Sequence, residues 1–420
     1  MGFFNNLFGK NNQTKKHTIH TILCTGRDMG RFSTNIEEGK HFSIGSGVKP
    51  VLLTKHEYGA WRQLRSSKTI DEWYEKCLEK KMITSKEELD VLRQKFQEEF
   101  LLLEWDGKLT PEAVLKEFTV TNNGKYAGFS EENQKWVVMS VAPKDKGVAM
   151  TQEQYDMWRS AIGVQRMIDV IHQFKRLTGC NTNEAKQLFF KYAQQYAKAG
   201  LWNIEYCGED EALYANNHRE TMTSNKDWFN SRLVEDTTLL ISIGEEFIVG
   251  NESERVPYVK AGKKEIRLEA DEMLIWAACK NDMNSVANLA KLYHQSNITV
   301  KEIISKLMEK KVIMIWPNKW NGTEDDTISI KPTGIGVGSN DGKVFQIADL
   351  TNGNIQKIPV SAYSIWVMAH SCMPLQVMVS NFQQLFSTTE EEAEKQVSEW
   401  IPLLLKSGLA HLQMIPRRDV

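Results

Sequence analysis

Four tryptophans are placed alike along the chain. Trp61, Trp158, Trp276 and Trp366 each follow an apolar residue by eight positions and a tyrosine or methionine by three. The runs are Leu53…Tyr58…Trp61, Met150…Tyr155…Trp158, Leu268…Met273…Trp276 and Ile358…Tyr363…Trp366. A supersecondary unit copied along a chain constrains its fold more tightly than composition does. The local chemistry is that of a helix start. Thr54-x-x-Glu57 and Thr151-x-x-Gln154 form capping boxes, whose side chains satisfy backbone N–H groups at a helix N-terminus. Pro359 suits a first helical turn. The apolar residue, the Tyr or Met and the Trp then share a buried face, so the tryptophans are expected in the core and not on a ligand.

The end of each unit also matches. Trp61 to Trp105 and Trp158 to Trp202 both span 44 residues, and Trp276 to Trp316 spans 40. Helical three-and-four spacings precede those points, as in Leu188-x-x-x-Tyr192-x-x-x-Tyr196 and Val397-x-x-x-Ile401-x-x-Leu404. Glycines such as Gly200 and Gly408 close the helices, and a short apolar stretch follows. Strand signals run upstream of the tryptophan helices. They are 239–243, 256–259 and 265–268 before the third, 327–330, 343–347 and 355–358 before the fourth, and shorter segments within 41–53 and 136–150 before the first two. The expectation is an α+β chain of four tandem winged-helix-like modules, each a small antiparallel sheet plus three helices. The repeats are placed at 36–106, 135–206, 237–316 and 327–420, the last with its tail. An N-terminal segment, 1–35, precedes them. Linkers fall at 107–134 (with an extra helix from Thr110-Pro-Glu), 207–236 and 317–326.

Composition narrows the classes. The 420 residues are 41% hydrophobic and 25% charged, so a packed core is within reach and global disorder is excluded. Lys plus Arg number 52 against 54 Asp plus Glu, a net charge of −2, which removes a bulk basic field for nucleic acid. The six cysteines form no C-x-x-C pair, which argues against zinc knuckles and fits reduced thiols in a cytoplasm. Phe3, Phe4, Leu7 and Phe8 could face one side of a short helix, a contact for a membrane surface or partner groove; a frayed terminus is the commoner outcome. Residues 358–389 lack Asp, Glu, Lys and Arg, but interspersed Ser, His, Pro, Gln and Asn favour a partly buried helical pair over a membrane span.

The third and fourth repeats resemble the PqqD-like modules of peptide-modification pathways. The likeness lies in three strands, in Glu265-Ile-Arg-Leu268 entering the Trp276 helix, and in a terminal helix closing in Leu405-Lys-Ser-Gly-Leu409. It covers roughly 80 residues per repeat. The resemblance implies peptide recognition by addition of a strand to the last strand of the sheet, beside the third helix. It implies a groove of Glu265, Ile266, Arg267, Ile304 and Met308 in the third repeat, and Gln356, Lys357 and Glu394 in the fourth. Four copies and the lack of an attached modifying-enzyme domain depart from that family's pattern.

No catalytic set can be assembled from the sequence. Gly334-Ile-Gly-Val-Gly338 leads into a hairpin turn and a strand, not into the helix a dinucleotide loop requires. Cys24 and Arg31 are separated by six residues, one too many for a phosphatase loop, and read as a loop. His56-Glu57 lacks the second histidine of a zincin helix. Neither catalytic nor metal residues, nor a cofactor, are expected. The first reading is a non-enzymatic scaffold for a protein or peptide partner. The second is a DNA-binding regulator, for which residues 151–206 offer seven Lys and Arg against five acids, whereas 358–411 offer two against five.

Overall fold

The computed structural model describes residues 21–32, 41–46, 50–105, 112–139, 147–207, 226–250, 256–262, 264–280, 282–316, 326–348, 354–371 and 375–416. They form a mixed α+β fold of several small sheets and helices. One element order recurs four times: a strand, a three-stranded meander, helices that begin with the tryptophan helix, and a closing strand antiparallel to the first. In the first repeat Thr21–Cys24 pairs with Leu102–Trp105, and in the second Phe118–Asn122 pairs with Trp202–Tyr206. In the third Leu239–Ser242 pairs with Ile313–Ile315, and in the fourth Asp326–Pro332 pairs with Ala410–Pro416. The meanders are Arg27–Phe32, His41–Gly45 and Pro50–Leu53; then Lys125–Ser130, Lys135–Met139 and Gly147–Met150. Those of the later repeats are Glu245–Val249, Val256–Ala261 and Lys264–Arg267; then Ile335–Ser339, Val344–Ala348 and Ile355–Pro359.

The boundaries differ from those read off the sequence. The segment 1–35 holds two strands of the first repeat, and 107–134 holds the helix Glu112–Glu117 and two strands of the second. The stretch from Cys24 to Arg31 is therefore mostly strand and not loop. The strand that opens each meander escaped the sequence reading. Arg27–Phe32, Lys125–Ser130 and Ile335–Ser339 carry glycines, and Glu245–Val249 starts with two acids, so none shows clean alternation.

The four tryptophans occupy one environment. Each is at most 2% exposed, on helices Lys55–Leu64, Gln152–Ser160, Ala270–Ala278 and Val360–Met368. The indole N–H of Trp61, Trp276 and Trp366 donates to the carbonyl of Thr25, Ile243 and Thr333, the residue that follows the first strand of each repeat. That same residue donates its amide to the turn before the closing strand in all four: Thr25 to Leu101, Asn123 to Leu201, Ile243 to Val312 and Thr333 to Leu409, at 2.8–3.1 Å. An aromatic of the middle strand stacks on the repeat tyrosine in three cases, Phe42 on Tyr58, Trp136 on Tyr155 and Phe345 on Tyr363, with ring centroids 3.9–4.2 Å apart. Both predicted capping boxes form, and Glu269 with Glu272 makes a third.

Two kinds of joint link the repeats into a closed ring. In one, the residue two past the first strand donates its amide to the third residue of a neighbour's closing strand: Gly26 to Ile204 at 2.7 Å, and Gly244 to Leu412 at 2.9 Å. In the other, a repeat tyrosine donates to a neighbour's opening meander strand: Tyr363 to the Met29 carbonyl at 3.3 Å, and Tyr155 to the Ile248 carbonyl at 2.9 Å. Met29 accordingly packs in the core shared by the third and fourth repeats, and Phe247 in that of the second.

The two tyrosine joints differ in closeness. At the first–fourth joint Arg27–Phe32 and Ile335–Ser339 pair in parallel, merging two meanders into six strands. Glycine permits this approach: a Cβ on Gly336 would lie 2.4 Å from the Met29 carbonyl oxygen, and one on Gly30 2.3 Å from the Val337 carbonyl carbon. At the second–third joint Tyr126 and Ile248 stand in the corresponding places, and among the described residues the strands 125–130 and 245–249 are not paired. Gly336→Ala is therefore expected to cost about 1–3 kcal/mol by overpacking. Amide exchange should rise at 27–32 and 335–339, and unchanged exchange with an unchanged melting temperature would contradict this account.

Buried charges sit at the amide joints with opposite polarity. At the first–second joint Arg27 Nε lies 2.6 Å from Glu205 Oε1, both side chains at most 3% exposed. Burial raises the Glu205 carboxyl pKa in spite of that partner. At the third–fourth joint the acid comes from the other side: Glu245 Oε1 binds Lys331 Nζ and lies 3.0 Å from His411 Nε2. The same oxygen accepts the Gly163 amide of the second repeat at 3.2 Å. Burial works to raise Glu245, but Lys331 and His411 outweigh it and hold the carboxyl well below the usual range. Lys260, 1% exposed, donates to the Ser160 carbonyl at 2.9 Å, at the end of the second repeat's tryptophan helix. Burial brings its pKa down to about 8, against the pull of Glu265 and Glu245.

His370 of the fourth repeat is 5% exposed, with Nε2 3.4 Å from Arg27 Nη1. Burial, and then the Arg27 charge, hold its pKa well below 6.5. The unfolded chain thus binds this proton more readily than the folded one. The contribution to stability is complete above the ordinary histidine pKa and is lost as pH falls below it, at about 1.4 kcal/mol per pH unit until the folded ring itself protonates. The melting temperature should fall between pH 7 and pH 5.5 more steeply in the native protein than in His370→Gln. Parallel curves would remove His370 from the account.

Candidate peptide-docking edges

Among the described residues the sheet topology leaves the last strand of every meander at an edge. Pro50–Leu53 and Ile355–Pro359 bound the six-stranded sheet, and Gly147–Met150 and Lys264–Arg267 each end a three-stranded one. Register decides which backbone groups face outward. Val360 donates to the Lys343 carbonyl, its register partner, at 3.0 Å, so Ile358 and Gln356 bond inward to Phe345 and Ile347. The N–H and C=O groups of Lys357 and Ile355 therefore point away from the sheet. By the same parity Leu268 bonds Pro257, and Arg267 and Glu265 face outward in the third repeat.

The expected groove residues separate into three groups. Glu265, Ile266, Arg267, Gln356 and Lys357 lie on the edge strands. Ile304 and Met308 do not line a groove. They are 0% and 1% exposed on the inner face of helix Asn297–Glu309, with Val300, Ile303 and Leu307, because that face closes the core of the third repeat. Glu394 is half-buried on helix Glu390–Lys406, which packs chiefly on the two preceding α-helices of the repeat and on its closing strand.

The edges are not equivalent. In the third repeat the Glu265 carboxylate accepts from Gln173 Nε2 of the second repeat at 3.0 Å, and the outward Arg267 carbonyl accepts from Lys310 Nζ at 3.3 Å. In the fourth, Ile355 is 55% exposed and Lys357 is exposed, beside the exposed Val344 of the adjoining strand. Ile355 was missed from the sequence; the usable signal is that Ile355 and Ile358 stand three apart on one strand and so point to opposite faces, which leaves one of them outside the core. Phe3, Phe4, Leu7 and Phe8 lie outside the described residues. Among the described residues no helix is long and apolar enough to cross a membrane, and no three His, Cys, Asp or Glu side chains gather as a metal site. No family model matches the chain, and neither does any curated protein or any solved structure.

Proposed function

We propose that the protein is a non-enzymatic binding scaffold of four tandem winged-helix-like modules, each a small antiparallel sheet plus three helices, that takes protein or peptide segments by strand addition in the cytoplasm. The observation that carries this reading is the edge position of all four closing meander strands. An edge strand offers unpaired N–H and C=O groups to an incoming extended segment. The buried joints fix the four edges on one frame, so a partner with several extended segments could engage more than one. The DNA-binding alternative, with the second repeat as its contact, draws less support. Two of that repeat's seven cations turn inward: Arg166 is 7% exposed, and Arg159, with its side chain 11% exposed, is bound to Asp156 at 2.8 Å.

Selection from a display library of unstructured dodecapeptides tests the reading. Selected peptides are expected to slow amide exchange within 50–53, 147–150, 264–267 or 355–359. Selected peptides that protect only helices, or duplex DNA that binds in a salt-sensitive way while peptides do not, would overturn it.

A further inference from the structure

We propose that the fourth repeat's edge strand, Ile355–Pro359, takes an antiparallel partner segment reading acidic–any–aliphatic from N- to C-terminus. This deepens the strand-addition reading and rests on it.

Three observations select this edge and this ligand. The outward backbone groups belong to Ile355 and Lys357, whose side chains share the exposed face of the sheet. Pro359, the N-cap of helix Val360–Met368, has no N–H and ends the row, which limits pairing to a short segment. A ligand strand running antiparallel meets Pro359 first, then Lys357, then Ile355. Directly opposite side chains on one face are the pairs that stabilise a sheet. A carboxylate opposite Lys357 satisfies the ammonium, and an aliphatic group opposite Ile355 covers side-chain surface that is 55% exposed. Val344, exposed on the neighbouring strand and in register with Pro359, lies on the same face and extends its apolar character.

The other edges lack this combination. Pro50 removes an outward N–H from the first. Gly147 and Ala149 give the second little side chain to select a partner. In the third the Arg267 carbonyl and the Glu265 carboxylate are already engaged by Lys310 and Gln173.

The test is fluorescence anisotropy on the full chain with blocked, labelled Thr-Glu-Thr-Val-Thr. Controls are the reversed order, Thr-Val-Thr-Glu-Thr, and Thr-Lys-Thr-Val-Thr. Saturable binding is expected, at least tenfold weaker for the lysine peptide and weaker for the reversed one. Lys357→Glu should invert the preference so that the lysine peptide binds better, a result that loss of folding cannot mimic. Binding that ignores Lys357→Glu overturns this site assignment. If amide protection then falls on 50–53, 147–150 or 264–267, strand addition itself survives. Absence of binding by all three peptides also overturns the assignment, and the library selection then decides the broader reading separately.

Discussion

Glu245→Ala is expected to destabilise the fold by about 3–5 kcal/mol, because it leaves a buried cation without its anion. Lys331, with its side chain 2% exposed, and His411 both address the Glu245 carboxylate, and the Gly163 amide of the second repeat shares it. One side chain thus ties the second, third and fourth repeats together. A largely buried pair is less an energetic asset than a liability when halved, so the cost arises mostly from stranding Lys331, whose side chain is the deeper of the two. Glu245→Leu combined with Lys331→Met should recover much of the loss. Chemical denaturation of the two single variants and the double variant gives the coupling energy directly. Additive losses would mean that the pair does not act as a unit. Because Glu245 is held low, its contribution is present above the ordinary carboxylate pKa and is lost progressively as pH falls below it toward the folded value.

The second large effect concerns the tryptophans. Trp→Ala at position 61, 276 or 366 should cost about 3–5 kcal/mol through the cavity left by a fully buried indole. Trp→Phe separates packing from hydrogen bonding. At these three positions it also removes the bond to the carbonyl of Thr25, Ile243 or Thr333, which adds about 1–3 kcal/mol where that carbonyl is buried, at Thr25 and Ile243. Trp158 differs: its indole N–H is buried and makes no hydrogen bond. There Asn122 Nδ2 donates to the Trp158 carbonyl at 3.2 Å, a bond the ring does not make. Trp158→Phe should therefore be the mildest of the four. Equal losses across the series, read by thermal unfolding, would contradict the bonding pattern.

Much of each repeat was legible because its determinants are local. The spacing of Leu53, Tyr58 and Trp61 sets one buried helical face, and Thr54 with Glu57 sets where that helix begins. The same logic placed Glu265, Arg267 and Lys357 on strands beside the tryptophan helix. The family resemblance, not local spacing, put Ile304 and Met308 in a groove, and a shared order of elements does not say whether a helix face meets a core or a groove. Local spacing failed for Arg27–Phe32 and its counterparts, whose glycines and charges look like loop residues in isolation.

Those missed strands are where the repeats meet, and that divides what each level of description determined. The sequence alone fixed the repeating unit, its helix starts and its tryptophan core, because residues within a few turns of one another dictate them. Only the tertiary structure decided the ring: that Gly336 faces Met29, that Arg27 meets Glu205, that Glu245 meets Lys331, and that Ile355 and Lys357 are left facing outward. Such contacts join residues far apart in the chain, and their chemistry becomes readable only once folding brings them together.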